Sequence, residues 1–175
     1  LSLLLAGCRP VATAGDVDVP VARITHDSRA VTPGTLFVAY RGVYLDVHRY
    51  IPDALARGAS AVIVERPIAD LRQSLDLPPG AVLVQVRNAR RARSLVAAAL
   101  HGHPSRDMTV IGITGTDGKT TTATLVHAIL ASAGIPAGLV STVAADTGAA
   151  VRDTGLHVTT PEAEDLHEYL ADMRD

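Results

Sequence analysis

The sequence predicts an α/β protein built in two parts. Short apolar runs rich in β-branched residues alternate with segments of helical periodicity, which is typical of βα units and a parallel sheet. The chain has 175 residues, 47% of them hydrophobic, enough to bury a core in one domain and begin another. A glycine-rich loop at residues 115–121 lies between an apolar run and a helical segment. We therefore expect a small N-terminal α/β domain, residues 1–88, followed by the start of a P-loop-type parallel-sheet ATPase domain, residues 89–175.

The first domain is predicted from strand-forming runs and from the glycine and proline residues that end elements. Residues 36–40 read Leu-Phe-Val-Ala-Tyr, a run of strand formers. Gly58 occupies a position that ends a helix, and the proline- and glycine-containing residues 77–80 form a loop. The predicted elements are, in order, a helix over 1–7, strands over 22–25 and 36–40, a helix over 51–57, and strands over 61–64 and 81–86. We expect about five short strands in all.

The second domain is predicted to begin with a helix over 88–100, which Gly102 and Pro104 end. The remaining predicted elements are a strand over 110–113, a helix over 122–132, a strand over 137–141, and a helix over 162–173. Thr160 is the expected N-cap of the last helix, with Pro161 at its first position. Residues 144–155 show no periodicity, so we expect a flexible polar stretch. Because a parallel sheet with only its first strands is unfinished, we expect a truncated protein.

The chain contains a single lysine, Lys119, against fifteen arginines. That lysine lies in a short motif, Gly115-Thr116-Asp117-Gly118-Lys119-Thr120-Thr121. The wide guanidinium of arginine cannot replace a compact ammonium that must point between two phosphates. A strand, a glycine loop, Lys-Thr and a helix form the arrangement that binds nucleotide phosphates on backbone N–H groups. We interpret residues 115–121 as an ATP site.

The roles of the loop residues follow from phosphate-binding chemistry. Lys119 is the predicted catalytic residue, reaching the β- and γ-phosphates, and the Thr120 hydroxyl is the predicted Mg²⁺ ligand. Thr121 is placed to cap the helix or to contact the α-phosphate. The spacing departs from the strict Walker pattern because Ile113 occupies the place of its first glycine. The alternative interpretation is an ordinary glycine turn followed by a helix cap.

Charge and composition exclude several classes of function. A net charge of −2 and 3% aromatic residues provide neither a basic field nor stacking side chains for nucleic acid. An arginine-rich segment over 87–106 contains no acidic residue, and we interpret it as a solvated helix face rather than an anion site. The seven histidines show no ligand-like spacing, because His101-x-His103 has no third ligand nearby.

The compartment is predicted from three further features. No stretch approaches the length of a membrane span. The lipoprotein-like segment over 3–8 has no basic region before it. The lone cysteine, Cys8, fits a reducing compartment. We expect a cytoplasmic protein with no membrane and no nucleic-acid partner.

Eight segments, spread over most of the chain, share a pattern with one known family. They are the expected helix over 1–7, Asp27-Ser28-Arg29, residues 33–39, Asp46 with residues 49–52, residues 58–64, His103-Pro104-Ser105, residues 113–121, and Thr159-Thr160-Pro161-Glu162. Together they resemble the Mur ligases, ATP-dependent enzymes that build the peptide stem of peptidoglycan. The ATP loop is common to all Mur ligases and to folylpolyglutamate synthetases. Thr-Thr-Pro with the N-terminal pattern is similar to the tripeptide synthetases of the family rather than to MurF.

The resemblance implies a UDP-sugar site in the first domain. Ser28 and the backbone around His26 would lie near the nucleotide, and Thr159 with Thr160 would contact the UDP-sugar. Weaker contacts are implied for Val43, Tyr44 and Leu45. The family often has His-Gln where this chain has Val-Tyr, and it has Asn more often than Asp at the position of Asp117. An acid beside phosphates is unfavourable unless it points away or meets Mg²⁺.

The implied reaction is amide formation driven by ATP with Mg²⁺. The terminal carboxylate of a UDP-N-acetylmuramoyl dipeptide attacks the γ-phosphate to give an acyl phosphate, and the amine of a free amino acid then displaces phosphate. We expect a monomer, inactive as these 175 residues alone because the amino-acid-binding part lies beyond Asp175. The alternatives are a non-catalytic nucleotide or UDP-sugar-binding module, a MurF-type ligase, and a P-loop kinase.

Overall fold

A five-stranded sheet forms the centre of the first half of the chain. The computed structural model describes residues 1–42, 44–153 and 161–175. These residues divide into two compact units, Leu1–Leu100 and His101–Asp175. The elements of the first unit are β1 (Ala12–Ala14), β2 (Arg23–Thr25), β3 (Thr35–Val38), α1 (Ile51–Ala56), β4 (Ala59–Val64), α2 (Ile68–Ser74), β5 (Leu83–Gln85) and α3 (Ala89–Leu100), with short 3₁₀ turns at Ser28–Ala30 and Val47–Tyr50.

The strand order of this sheet is β1-β5-β4-β3-β2. The strands β2, β3, β4 and β5 pair in parallel, and β1 adds an antiparallel edge beside β5. Each parallel strand returns to the sheet through a helix or a 3₁₀ turn, as parallel connections require. The predicted α/β class with a parallel-sheet core is therefore confirmed.

The core is built on the two central strands, which are apolar on both faces. Phe37 of β3 lies in one cluster with Ile51 of α1 and Leu71 of α2, and all three are fully buried. The alternate residues Leu36 and Ile63 are equally buried, and α3 packs against β2, β3 and β4. Strands covered on both sides in this way read as continuous apolar runs, which is why their positions were predictable.

The second unit is less completely packed. Its elements are a 3₁₀ turn at Pro104–Arg106, α4 (Lys119–Ser132), β6 (Leu139–Val140), β7 (Ala144–Asp146), β8 (Val151–Asp153) and α5 (Ala163–Arg174). The three strands form an antiparallel sheet in the order β6-β7-β8. The Arg152 guanidinium of β8 forms ion pairs with the carboxylates of Glu168 and Asp172 in α5, at nitrogen–oxygen distances of 3.1 and 2.7 Å. These ion pairs connect α5 to the sheet. No residue of α4 is buried, and Leu125 and Ile129 are more than half exposed.

Several predicted elements differ from the structure. The helix expected over 1–7 is a succession of turns, because so short a segment has few intrahelical bonds to hold it. The strand expected over 110–113 is absent among the described residues, and Val110 and Ile111 are more than half exposed, since a strand needs a neighbour to pair with. The strand β1 and the helix α2 were not predicted.

The polar stretch over 144–155 is ordered in its first ten residues, which corrects the expectation of flexibility. Thr147 and Ala150 close a turn with a backbone hydrogen bond of 3.0 Å, and Gly148 takes a positive φ of 81° in it. The turn joins β7 to β8, and pairing between those strands, rather than strand propensity, orders the segment.

The first compact unit ends later than the predicted boundary after residue 88. It includes α3, whose residues Ala89, Val96 and Ala97 are buried. The helix therefore belongs to the core of the first unit rather than to the start of the second. Among the described residues, every helix is too short or too polar to cross a membrane.

We expect the two units to differ in local stability. In hydrogen–deuterium exchange, the amides of Leu125 and Ile129 in α4 should exchange much faster than those of Val62 and Ile63 in β4, because β4 is buried and α4 has no buried residue. Mass spectrometry of peptic peptides from the two elements measures the difference. Equal protection of both elements would show that α4 is packed more tightly than its exposure indicates.

Candidate functional site

The carboxyl ends of β2, β3, β4 and β5 meet at one edge of the first sheet, because these strands are parallel. Ligands in open α/β sheets bind at this edge. A cavity of about 530 Å³ lies there, among the segments that follow three of these strands. It is lined by His26, Asp27, Ser28, Arg29, Tyr40, Gly42, Tyr44, Leu45, Val47, Tyr50 and Arg90. Three of the four tyrosines of the chain therefore lie at one cavity.

The turn after β2 forms one wall of the cavity and is held by Asp27. Its carboxylate accepts the backbone N–H of Arg29 at 2.9 Å and binds the Arg29 guanidinium through two nitrogens, at 3.0 and 2.8 Å. These hydrogen bonds lower the pKa of Asp27 to about 2. The turn keeps Ser28 at the cavity and only 7% exposed. Asp53 lies nearby, and hydrogen bonds from Arg57 and then from Ser28 hold the pKa of its carboxyl below the ordinary value.

The segment after β3 forms a second wall and closes on itself. The Gly42 N–H donates to the Leu45 carbonyl at 2.8 Å. The backbones of Arg41 and Asp46 form an isolated antiparallel β-bridge. Glycine is required at position 42, because a Cβ there would lie 2.8 Å from the Leu45 carbonyl oxygen. Tyr44 at the tip is fully exposed.

His48 joins this second wall to the end of β4. It is completely buried, and its Nδ1 lies 2.5 Å from the Asp46 carboxylate. Its Nε2 lies 3.1 Å from the Glu65 backbone N–H and 3.3 Å from that of Arg66. Because Nε2 accepts from backbone N–H groups, the ring proton belongs on Nδ1, where it is donated to Asp46. Burial by itself raises the pKa of Asp46, but the bonds from the His48 ring and N–H outweigh it, so that pKa lies below the ordinary value.

The Glu65 carboxylate carries the same network to α3. One oxygen accepts the N–H of Ala89, the first residue of α3, at 2.9 Å, and the other accepts the N–H of Arg41 at 3.1 Å. A carboxylate at a helix N-terminus is favourable both as a cap and through the helix dipole. The loop after β3, the end of β4 and the start of α3 are thus fixed to one another. Arg90 is the second residue of that helix.

A second candidate site is the glycine loop of the other unit. Gly118 has a positive φ of 75° and is the N-cap of α4, which begins at Lys119 itself. The Lys119 ammonium donates to the Gly115 carbonyl at 2.5 Å and to the Thr116 carbonyl at 2.8 Å. The Thr120 hydroxyl lies 3.2 Å from that of Thr142, which follows β6.

The glycine loop is accessible to a ligand. It is exposed over 114–118, and no atom of a non-adjacent residue lies within 4 Å of the position that a Cβ on Gly118 would take. The N-cap of α4, Gly118, makes no side-chain capping bond, so the first backbone N–H groups of the helix are not used by it. Within the described residues, no group of three or more His, Cys, Asp or Glu side chains could hold a metal ion. A cation here would be held by Thr120 together with phosphate oxygens.

The structure brings some of the predicted residues together and leaves others outside its description. The loop residues Gly115, Thr116, Asp117, Gly118, Lys119, Thr120 and Thr121 form one continuous turn into α4. The predicted substrate residues His26, Ser28, Tyr44 and Leu45 line the cavity of the first unit. Val43, Thr159 and Thr160, the last also as helix cap, lie outside the described residues.

Sequence reasoning missed other residues at the cavity. Tyr40, Tyr50 and Arg90 line it, and His48 with Glu65 supports it. Only Asp46-x-His48 carried a local signal, because an acid two residues before a histidine can orient its ring. Arg90 was assigned with its neighbours to a solvated helix face.

Comparison with known proteins gives a consistent result over both units. Residues 20–103 match the Mur ligase family catalytic domain, and residues 113–175 match the Mur ligase middle domain. The chain is 46% identical over 166 residues to a UDP-N-acetylmuramyl-tripeptide synthetase of Roseiflexus sp. (strain RS-1). The aligned region covers 95% of this chain and 31% of that protein.

Two further similarities extend the comparison. The chain is 34% identical over 175 residues to a UDP-N-acetylmuramoyl-L-alanyl-D-glutamate--2,6-diaminopimelate ligase of Clostridioides difficile (strain 630), covering 100% of this chain and 34% of that protein. Its fold is similar to crystal structure I of MurF from Acinetobacter baumannii, with a TM-score of 0.58 and 26% identity over 75% of this chain and 27% of that one. The chain thus spans about a third of the length of the curated relatives.

We expect His48→Ala to lower the free energy of unfolding of the first unit by about 3 kcal/mol, because it leaves a buried cavity and two unpaired N–H groups. Urea unfolding followed by circular dichroism measures the change. Arg72→Ala, at an exposed position on α2, is the control and should change stability by less than about 0.5 kcal/mol. A similarly small loss for His48→Ala would contradict the assigned network.

We also expect the Asp27 bonds to make the stability of the first unit depend on pH. The pKa of Asp27 is lowered on folding from the ordinary value of 3.8 to about 2, so its contribution is fully present above about pH 5. It is lost as the pH falls through about 2. Asp27→Asn should therefore be less stable than the wild-type protein at pH 7, and urea unfolding should show this difference shrinking as the pH falls from about 5 towards 2. A constant difference over that range would exclude this carboxylate as its source.

Proposed function

This chain belongs to the Mur ligase family, and on that premise we propose that it forms the substrate-binding and ATP-binding parts of an ATP-dependent amide ligase. The proposed reaction adds an amino acid to UDP-N-acetylmuramoyl dipeptide in peptidoglycan synthesis. The observation that carries the proposal is the phosphate loop, in which the only lysine of the chain lies at the start of α4. The relatives named above as tripeptide and diaminopimelate ligases support the choice of substrate.

We assign the UDP-sugar to the cavity of the first unit. Ser28 lies within the turn fixed by Asp27, so its hydroxyl can serve a nucleotide without further ordering of the backbone. His26, Tyr44 and Leu45 line the same space. The tyrosines offer flat faces for a nucleobase, since stacking is worth about 1–3 kcal/mol per base. The proposed contacts of Val43, Thr159 and Thr160 rest on the resemblance alone.

We assign ATP to residues 115–121 of the second unit. Lys119 would exchange its bonds to the loop carbonyls for bonds to phosphate oxygens, and Thr120 would hold Mg²⁺. ATP is the co-substrate that supplies the phosphoryl group for activating the substrate carboxylate, and Mg²⁺ neutralises phosphate charge. The contribution of the chain is to position the phosphates on backbone N–H groups and to place one positive charge beside them.

Asp117 is compatible with this assignment because its side chain lies at an exposed position of the loop. A carboxylate that faces solvent is screened and repels the phosphates weakly. The exposed position also leaves it free to approach a bound Mg²⁺, which would turn the repulsion into attraction.

The decisive substitution is Lys119→Ala in the complete protein. We expect amide formation from UDP-N-acetylmuramoyl dipeptide, Mg-ATP and an amino acid to fall by about a hundredfold or more, because a charge contact at the transferred phosphoryl group is lost. Lys119→Arg should not restore the rate, because a guanidinium is too wide for the loop. Product formation is measured by chromatography with diaminopimelate and with lysine as acceptors.

Ser132→Ala, at the far end of the same helix, is the matched control and should leave the rate unchanged. Circular dichroism verifies that each variant is folded. Unchanged turnover in Lys119→Ala would remove the phosphate loop from the mechanism. No product from the original protein with either acceptor would refute the proposed reaction.

A further inference from the structure

The cavity of the first unit contains one positive charge that no carboxylate balances. Of the charged residues that line it, Asp27 and Arg29 neutralise each other through their paired hydrogen bonds. Arg90 remains, and among the residues that the structure describes no carboxylate lies within ion-pair distance of its guanidinium. A cavity with one excess positive charge attracts an anion.

Arg90 is nevertheless held in a defined place. Its guanidinium carbon lies 4.8 Å from the centre of the Tyr40 ring, a cation–π distance. Tyr40 in turn lies 6.0 Å from the His26 ring and packs against the apolar core at the end of β3. The backbone of Arg90 follows Ala89, whose N–H is anchored on Glu65. Both ends of the side chain are thus positioned before any ligand binds.

A guanidinium stacked on a ring keeps its edge nitrogens available. Stacking uses the face of the planar group, whereas hydrogen bonds leave from its rim, so the two interactions do not compete. The rim can bind two phosphate oxygens at once, and such charge-assisted pairs are the strongest hydrogen bonds in proteins. Because the guanidinium already lies over the Tyr40 ring and the start of α3 is anchored on Glu65, less conformational entropy is lost on binding.

We propose that Arg90, stacked on Tyr40, is the residue that binds the diphosphate of the nucleotide in this cavity. The proposal rests on the proposed assignment of a UDP-sugar to the first unit. Arg90 then selects nucleoside diphosphates over nucleosides, while the remaining cavity wall contacts the uridine. Tyr40 acts as a positioning residue, because it holds the guanidinium in place.

The test measures binding of UDP and of uridine to the 175-residue protein by chemical-shift titration in ¹H–¹⁵N NMR spectra. Arg90→Gln should weaken UDP binding by about ten- to a hundredfold and leave uridine binding unchanged. Arg91→Gln, at the next exposed position of the same helix, is the matched control and should bind both as the original protein does. Tyr40→Phe should retain UDP affinity, and Tyr40→Leu should lose part of it.

The outcomes separate this inference from the assignment on which it rests. If the original protein binds UDP and Arg90→Gln binds it equally well, the role of Arg90 is refuted and the cavity assignment stands. An equal loss of UDP and uridine binding in Arg90→Gln would also refute the role, because the contact would not be with the diphosphate. If the original protein binds neither compound, the assignment of the UDP-sugar fails and the inference fails with it.

Discussion

The parallel pairing of four strands is the constraint on which the first unit depends. Parallel strands need crossover connections, and these place every strand end at the same edge of the sheet. In this chain the ends of β2 and β3 therefore lie beside each other, and the start of α3 follows the end of β5 nearby. Residues distant in sequence meet at a single cavity for that reason. The apolar core beneath, with Phe37 and Leu83 fully buried, supports this edge.

The same parallel arrangement leaves backbone N–H groups at the strand ends without ladder partners, and His48 and Glu65 pair with them. Backbone N–H groups that leave a sheet at its end lose their ladder partners, and burying them unpaired costs free energy. His48 accepts from two such groups, and Glu65 accepts from Arg41 and from the first turn of α3. These side chains thus accept the hydrogen bonds that a neighbouring strand would otherwise accept. Because each of these side chains has two partners on different segments, the network also fixes the shape of the cavity.

The parts of the fold that could be predicted from sequence are those whose cause is local. The run over 36–40 and the helix ended by Gly58 carry their own signals, and the structure confirms both. By contrast, segments with little strand or helix propensity of their own depend on pairing with a neighbouring strand. Residues 144–153 form a hairpin through contacts between strands and through Arg152, which binds two acids of α5. The apolar residues 110–113 have no strand neighbour among the described residues and stay irregular.

The candidate sites divide in the same way. The phosphate loop is contiguous, so Lys119 and its neighbours could be proposed together from one glycine-rich segment that contains the single lysine of the chain. The Tyr40–Arg90 contact joins residues far apart in sequence through α1, β4, α2 and β5, and no local pattern in either segment indicates it. An arginine in a basic helix is ordinarily solvated, and only the ring beneath it distinguishes Arg90 from Arg91. A candidate site can therefore be proposed from sequence when its residues lie in one loop, but not when the sheet brings them together from distant segments.

The use of two different cations is consistent with the two proposed roles. A phosphoryl group that is transferred changes its geometry during the reaction, and a compact ammonium on a flexible stem can follow it. A diphosphate that only anchors the substrate keeps its geometry, and a planar guanidinium fixed on a ring suits a fixed target. In a chain with fifteen arginines and one lysine, the lysine lies where the proposed chemistry occurs. Under the two proposals, the choice of cation separates the binding of substrate from the transfer of phosphate.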